Sequence, residues 1–258
     1  MLTRRRLDNE LVRRGMAGSR SAAASLVTSG GVTVRGIPTP KPASMVTTDT
    51  PIELVGDRPR YVGRGGLKLQ GALAEFGLDV GGRRALDAGA STGGFTDHLL
   101  QSGVDSVTAV DVGRGQLDDR IAGDSRVTVR DRTNIRLVGP DELGTFDLVV
   151  ADLSFISLCT VADAFASLAE DGADLVLLVK PQFEVGKGQV GRGGIVKDPA
   201  LHVQALRKVI ECLGRAGMPV QAVCDSPITG AKGNREFFVW ARKGGAVVLE
   251  LSLPLEVD

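Results

Sequence analysis

Two short apolar runs in the chain each close on a charge. Residues 147–151 end on Asp152, and residues 174–179 end on Lys180. A carboxylate and an ammonium at the close of buried strands are costly unless they are paired or put to use. An amine held by carboxylates can stabilise a forming alkoxide, or accept the proton of a weakly acidic hydroxyl. Two further strand-like segments end on acids: residues 107–110 on Asp111, and residues 126–130 on Asp131. A fifth, Ala85-Leu86-Asp87, opens into Ala88-Gly89-Ala90-Ser91-Thr92-Gly93-Gly94-Phe95. A turn of such small residues lets backbone N–H groups come close to a ligand. The glycine spacing is not the G-x-G-x-x-G of a dinucleotide site. The later glycine-rich stretch 185–194 lacks the G-K-[ST] of a P-loop.

These groups need a scaffold that brings strand ends together. Helix periodicity places a helix over residues 67–76, with Leu69, Ala72, Leu73 and Phe76 as its apolar stripe and Gly77 as its stop. Lys68 lies off that stripe. A second helix follows the small-residue turn from Phe95 and ends before Gly103. Strands and helices alternate through residue 179, which predicts an α/β fold with a mostly parallel sheet covered on both faces. Strands over 220–224 and 236–241 complete seven. In such a sheet ligands bind beyond the carboxyl ends of the strands. Gly89, Asp111, Asp131, Asp152 and Lys180 therefore belong to one candidate site.

The front of the chain differs in charge. Residues 1–60 carry ten Lys/Arg against five Asp/Glu, a net +5 within a chain whose formal charge is zero. A basic module joined to an acidic one points to an anionic partner such as RNA. Asp8 is expected to cap a helix to about Arg14, and Ser19 a second one to about Ser29 with Ala22, Ala23, Leu26 and Val27 inward. Strands over 32–34 and 52–55 follow, and Pro38, Pro40 and Pro42 exclude further helix between them. The stretch 56–66 is rich in Gly, Pro and Arg and reads as a joint. The domain expectation is therefore 1–57, a basic linker 58–66, and 67–258.

The front module resembles the small RNA-binding domain named after ribosomal small-subunit protein four. The resemblance rests on R-L-D-x-x-L-x-x-x-G, S-R-x-x-A-x-x-L, G-x-V-x-V and K-P. It implies RNA contact by Arg5, Arg6, Arg20 and Lys41, continued by Arg60 and Arg64 of the joint. The main body carries D-x-G-x-x-x-G-G, which resembles the first motif of S-adenosylmethionine-dependent methyltransferases. Lys68, Asp152, Lys180 and Glu236 resemble the Lys-Asp-Lys-Glu tetrad of FtsJ-type ribose 2′-O-methyltransferases. Asp-Leu-Ser-Phe-Ile-Ser and Lys-Pro-Gln-Phe-Glu-Val-Gly-Lys-Gly-Gln-Val-Gly, with the whole-chain layout, resemble the TlyA family, also known as haemolysin A.

That resemblance implies a Rossmann-like class I methyltransferase sheet behind an α+β RNA-binding domain. It implies S-adenosylmethionine as cofactor and cytidine 2′-O-methylation in ribosomal RNA of both subunits, with capreomycin-type sensitivity following from it. The cofactor set is then Asp87, Gly89, Ala90, Ser91, Thr92, Gly93, Gly94, Phe95, Asp111, Asp131 and Asp152. Asp111 would accept from ribose hydroxyls and Asp131 would meet the adenine edge. Lys180 would face the acceptor hydroxyl, Asp152 and Glu236 would hold the lysines, and Lys68 would orient the target nucleotide. Lys187 and Arg192 are expected on a phosphate-facing flap, with a second RNA-side loop around Asn234. Phe155 and Phe183 are candidates to stack a base.

Three cysteines, Cys159, Cys212 and Cys224, form no C-x-x-C pair, which argues against a disulfide or zinc framework and fits a reducing cytoplasm. His98 and His202 lack metal-ligand partners. No apolar run approaches the length of a membrane span, so a membrane-damaging activity finds no support. The intact tetrad argues against a non-catalytic assembly factor. A monomer acting on ribosomal RNA is the expected state.

Overall fold

The computed structural model describes residues 4–28, 30–38, 41–55, 60–230, 232–248 and 252–254. Several expectations lie outside these residues: the helix end at Ser29, Pro40, the boundary at 57/58 with Arg58, and the side chain of Lys187. The chain divides into two units, Met1–Val62 and Gly63–Asp258.

In the first unit, β1 (Arg4–Arg6) leads directly into α1 (Leu7–Arg13), and α2 (Arg20–Thr28) follows. Strands β2 (Val32–Val34), β3 (Ile37–Pro38), β4 (Met45–Thr47) and β5 (Ile52–Leu54) make two small sheets, ordered β1-β4 and β3-β2-β5. Leu7, Leu11, Ala23, Val27, Val32, Val46 and Ile52 form the core. Ser19 caps α2 as expected, its Oγ accepting from Ala22 N. Asp8 does not cap α1. It sits inside the first turn, because Arg6 is already the capping position. Ala22, expected inward, is exposed.

Glu10 is wholly buried yet ionised, since Arg13 and Arg14 donate to its two oxygens at 2.6–2.8 Å. The Arg13 hydrogen bonds outweigh the burial penalty, with Arg14 adding to them, and hold the carboxyl down at about 2. A carboxylate with a lowered folded pKa stabilises above its unfolded pKa, and that stability is lost as pH falls toward 2. Glu10→Gln is expected to destabilise this unit by about 1–3 kcal/mol at neutral pH. It should also flatten the loss of stability between about pH 4.3 and 2. Amide-exchange protection of α1 in the full-length chain measures both.

The second unit opens with α3 (Gly65–Phe76), two residues earlier than periodicity alone places it. Gly77 ends it in the left-handed conformation, φ 64°. The sheet comprises β6 (Arg84–Ala88), β7 (Ser106–Val110), β8 (Val127–Arg130), β9 (Phe146–Ala151), β10 (Ala169–Val179), β11 (Val220–Asp225) and β12 (Phe237–Arg242). Their order is β11-β12-β10-β9-β6-β7-β8, parallel except for β12, which runs antiparallel to both neighbours. Helices α4 (Gly94–Gln101), α5 (Asp119–Ala122), α6 (Pro140–Leu143), α7 (Leu158–Leu168), α8 (Pro181–Glu184) and α9 (Pro199–Arg215) connect the strands. Phe165, Phe237 and Phe238 are among the largest fully buried side chains.

The register decides where chemistry can occur. Ala88 pairs with both Val110 and Ala151, and Val110 with Arg130. The last residues of β6, β7, β8 and β9 thus stand in one row. Gly89, Asp111, Asp131 and Asp152 follow them at the same edge. Val179 pairs with Phe237, so Lys180 and Glu236 flank one antiparallel pair at that edge.

The cysteine expectation is corrected. Cys159 on α7 and Cys212 on α9 form a disulfide, with Cα atoms 5.4 Å apart. The packing of α7 on α9 brings together thiols 53 residues apart, which no local spacing announces. Cys224 is free and buried.

Candidate active site

Residues after β6 and β9 are built against each other. Gly89 has φ +86°, and a Cβ there would lie 2.7 Å from the carbonyl oxygen of Asp152. Only glycine suits both that backbone conformation and that approach. Gly94 meets the start of α3 in the same way: its Cβ would lie 3.0 Å from Gly66 N. Glycine against glycine lets α3 begin at the mouth of the small-residue turn.

These contacts enclose a cavity of about 190 Å³ lined by Gly65, Gly89, Ala90, Ser91, Thr92, Gly94, Phe95, Asp152, Ser154 and Lys180. A narrower cleft shares Ala90 and Ser91 with it and adds Ala109, Asp111, Gln116, Leu117, Val129 and Asp131. Asp111 accepts from Ser91 N at 2.8 Å and Gly113 N at 2.7 Å, and Asp131 from Gly115 N at 2.7 Å. Each carboxylate oxygen retains a second lone pair for a ligand hydroxyl or amine.

The four tetrad residues form two ion pairs. Lys180 Nζ stands 2.5 Å from Asp152 Oδ1, and Lys68 Nζ 2.5 Å from Glu236 Oε2. Lys68 is buried, although its neighbour Leu67 is exposed. Gly230 closes over Glu236, since a Cβ there would collide with Oε1. Lys180 and Asp152 line the cavity, whereas Lys68 and Glu236 stand outside its lining.

Asp87 and Gly93 line neither space. Gly93, φ +93°, turns the chain into α4 against Leu117. Asp87 is fully buried, and its Oδ2 accepts from Thr96 N at 3.0 Å and Thr96 Oγ1 at 2.6 Å. Sequence reasoning missed Gly65, Ser154 and Gln116. Gly65 lies in the stretch that reads as a basic joint, and Ser154 in a loop motif marked by its charged member, Asp152.

Among the basic residues expected at RNA, Arg6 and Arg20 both donate to the buried carboxylate of Asp8. Arg5, Lys41 and Arg192 are exposed. Arg60 lies over the Tyr61 ring at 5.3 Å, and Arg64 donates to Thr229 O. The 185–197 stretch is fastened at its base: Asn234 bonds Gly194 O and Val196 N, and buried His202 contacts Val196 O. No group of three or more metal-ligating side chains occurs among the described residues.

Residues 61–243 match the model of the FtsJ-like methyltransferases, and residues 5–52 that of the S4 domain. The chain belongs to the FtsJ-like methyltransferase family. Within it, the chain falls in the TlyA group. It is 51% identical over 244 residues to the 16S/23S rRNA (cytidine-2′-O)-methyltransferase TlyA of Mycobacterium tuberculosis, covering 94% of this chain and 91% of that one. Hemolysin A of Brachyspira hyodysenteriae is 37% identical, over 90% of this chain and 97% of its own. A solved hemolysin-named protein from Streptococcus thermophilus superposes with TM-score 0.75 at 38% identity, covering 96% of this chain and 91% of that one. No helix among the described residues is long and apolar enough to cross a membrane.

The FtsJ-like site fits S-adenosylmethionine. The small-residue turn leaves room for the methionine part, Asp111 offers acceptors to ribose hydroxyls, and Ala109, Leu117 and Val129 offer apolar walls to a flat base.

Burial pushes the Asp87 carboxyl up to about 7, against the Thr96 hydrogen bonds and with the charges of Asp152 and Asp111 adding to the rise. Below about pH 4 the group is neutral folded and unfolded alike. Between about 4 and 7 only the unfolded chain ionises, so stability falls as pH rises through that window. Asp87→Asn should remove this slope. The wild type is expected to lose on the order of 2–4 kcal/mol relative to the variant between pH 4 and 7, read from paired urea titrations.

Proposed function

We propose that the chain transfers a methyl group from S-adenosylmethionine to the ribose 2′-OH of cytidine in ribosomal RNA of both subunits. The observation that carries this reading is the pairing of Lys180 with Asp152 on the wall of a small-residue cavity, beside the buried Lys68–Glu236 pair.

The cofactor supplies the methyl group on an electron-poor sulfonium. What remains for the protein is to hold an oxygen in line with that methyl and to raise its nucleophilicity. The turn 89–95 and Asp111 seat the cofactor, and Asp131 meets its adenine edge. Lys180 faces the 2′-OH, where an ammonium stabilises the forming alkoxide and a neutral amine accepts its proton. Asp152 fixes the Lys180 amine. Glu236 fixes Lys68, which orients the target nucleotide.

Phe155 supports a role in receiving a base. It is 91% exposed, holds φ at +65° and lies 5.2 Å from the Phe183 ring. A bulky side chain in the left-handed region is strained, and such strain collects at functional loops. A stacking platform of this kind accepts an unpaired base.

The S4 domain holds ribosomal RNA through Arg5, Arg6, Arg20 and Lys41, joined by Arg60, Arg64, Lys187 and Arg192. The same reading places the chain in the cytoplasm, where its substrate, the ribosome's own RNA, is found, and has it act as a monomer. Loss of the activity would then alter capreomycin-type sensitivity.

Lys180→Ala is expected to lower methyl transfer at least 10³-fold while calorimetric cofactor affinity stays within about threefold, as for removal of a group used in the transition state. Transfer by the variant at more than a tenth of the wild-type rate refutes the role of Lys180.

A further inference from the structure

We propose that Ser154 is a positioning residue for the transfer step, fixing the direction in which the Lys180 amine presents its remaining donor. The inference rests on the reading of Lys180 given above and deepens it.

A lysine amine carries three N–H donors on a freely turning Cε–Nζ bond. One directed hydrogen bond to an acceptor off the bond axis sets that rotation, and with it the other two N–H directions. Nζ stands 2.5 Å from Asp152 Oδ1, an ion pair in which that oxygen accepts no hydrogen bond, and donates to Ser154 Oγ at 2.9 Å. The Ser154 bond is therefore what sets the rotation and determines the N–H direction left for the acceptor. Lys180, Asp152 and Ser154 all line the same cavity, so that direction is set at the cavity wall. Ser154 Oγ accepts here and keeps its own O–H, a donor available to a ribose or phosphate oxygen of the acceptor.

A positioning residue must itself be held, and this one is. Asp152 N donates to Ala88 O at 3.1 Å, which ties the loop to β6. Phe155, the next residue, takes the strained turn and contacts Phe183. Glu184, buried at the end of α8, accepts from Ser157 Oγ at 2.5 Å and from Leu158 N at 2.8 Å. One carboxylate therefore fastens the turn carrying Lys180 to the loop carrying Ser154. An amine–hydroxyl distance of 2.9 Å is maintained between two stapled backbones.

Two variants and two readouts test this. In Ser154→Ala, kcat for methyl transfer to ribosomal RNA is expected to fall 10–100-fold, with cofactor Kd unchanged within twofold. Ser154→Thr, which keeps the hydroxyl, is expected to recover kcat to within about fivefold of wild type. Independently of activity, Lys180 should be acetylated by acetic anhydride severalfold faster in Ser154→Ala than in wild type or Ser154→Thr, read by mass spectrometry of the protein without RNA. A Ser154→Ala kcat within twofold of wild type overturns the proposal. So does a loss carried wholly by cofactor Kd, or a Lys180 labelling rate that does not change. Altered labelling with a wild-type enzyme that methylates no ribosomal RNA would instead uphold the positioning and refute the functional reading.

Discussion

The approach of Gly89 to the backbone of Asp152 is the constraint on which the site depends. Parallel pairing of β6 with β9 sets Ala88 level with Ala151, and the two chains leave the sheet side by side. A side chain at Gly89 would force them apart by striking the Asp152 carbonyl. The small-residue turn and the loop that carries Asp152 are therefore one packed unit. Neither can shift without the other. In a reaction limited by the alignment of two small groups, that coupling matters more than any single hydrogen bond, because sub-ångström misplacement is enough to lose the in-line geometry.

Asp87 and Thr96 extend the same unit downward. The buried carboxylate binds the backbone and hydroxyl of Thr96, so β6 is tied across the turn to α4. Gly94, at the start of α4, then receives Gly65 and Gly66 of α3 at backbone distance. The consequence is reach: α3 brings Lys68 from well before the sheet to Glu236 at the start of its last strand. A buried ammonium without a partner would be strongly unfavourable, and so would a buried carboxylate. The Lys68–Glu236 pair therefore also locks α3 against the entry to β12. The second pair is wetter. Asp152 keeps about a quarter of its side chain exposed, against 4% for Glu236.

Much of this was legible in the sequence because strand ends are marked by charge. Asp111, Asp152 and Lys180 each close a mainly apolar run, Asp131 closes the more polar 126–130 strand, and each is the residue immediately after its strand. Alternation of strand and helix gave the layer order. What stayed hidden has a common physical cause: it depends on contacts between segments far apart in the chain. Cys159 meets Cys212 only through the packing of α7 on α9. Asp8 looks like a cap until β1 is seen to run straight into α1, which leaves the carboxylate free to gather Arg6 and Arg20. Gly65 reads as part of the joint because a glycine's role in close packing leaves no mark in local pattern. Lys68 lies off the apolar stripe of its helix, and only the tetrad resemblance, not local pattern, pairs it with Glu236.

The same logic explains why the loops after β10 and before β12 are not independent. Asn234 is buried and bonds two backbone groups of the 185–197 stretch, while its near neighbour Glu236 holds Lys68. Gly230 allows that loop to fold over Glu236 with no side chain in the way. His202, from α9, bonds Val196 O at the far end of the stretch and packs edge-on against Phe237. A glycine-rich segment would by itself sample many conformations at a high entropic cost of ordering. Fixing its base at Gly194 and Val196 removes most of that freedom before any substrate arrives. Its own backbone contributes the rest: Val185 N bonds Pro181 O, Gln189 N bonds Gly186 O, Gly186 N bonds Gln189 Oε1 and Gly191 N bonds Ile195 O, so the stretch next to the turn that carries Lys180 is ordered from within as well as at its base.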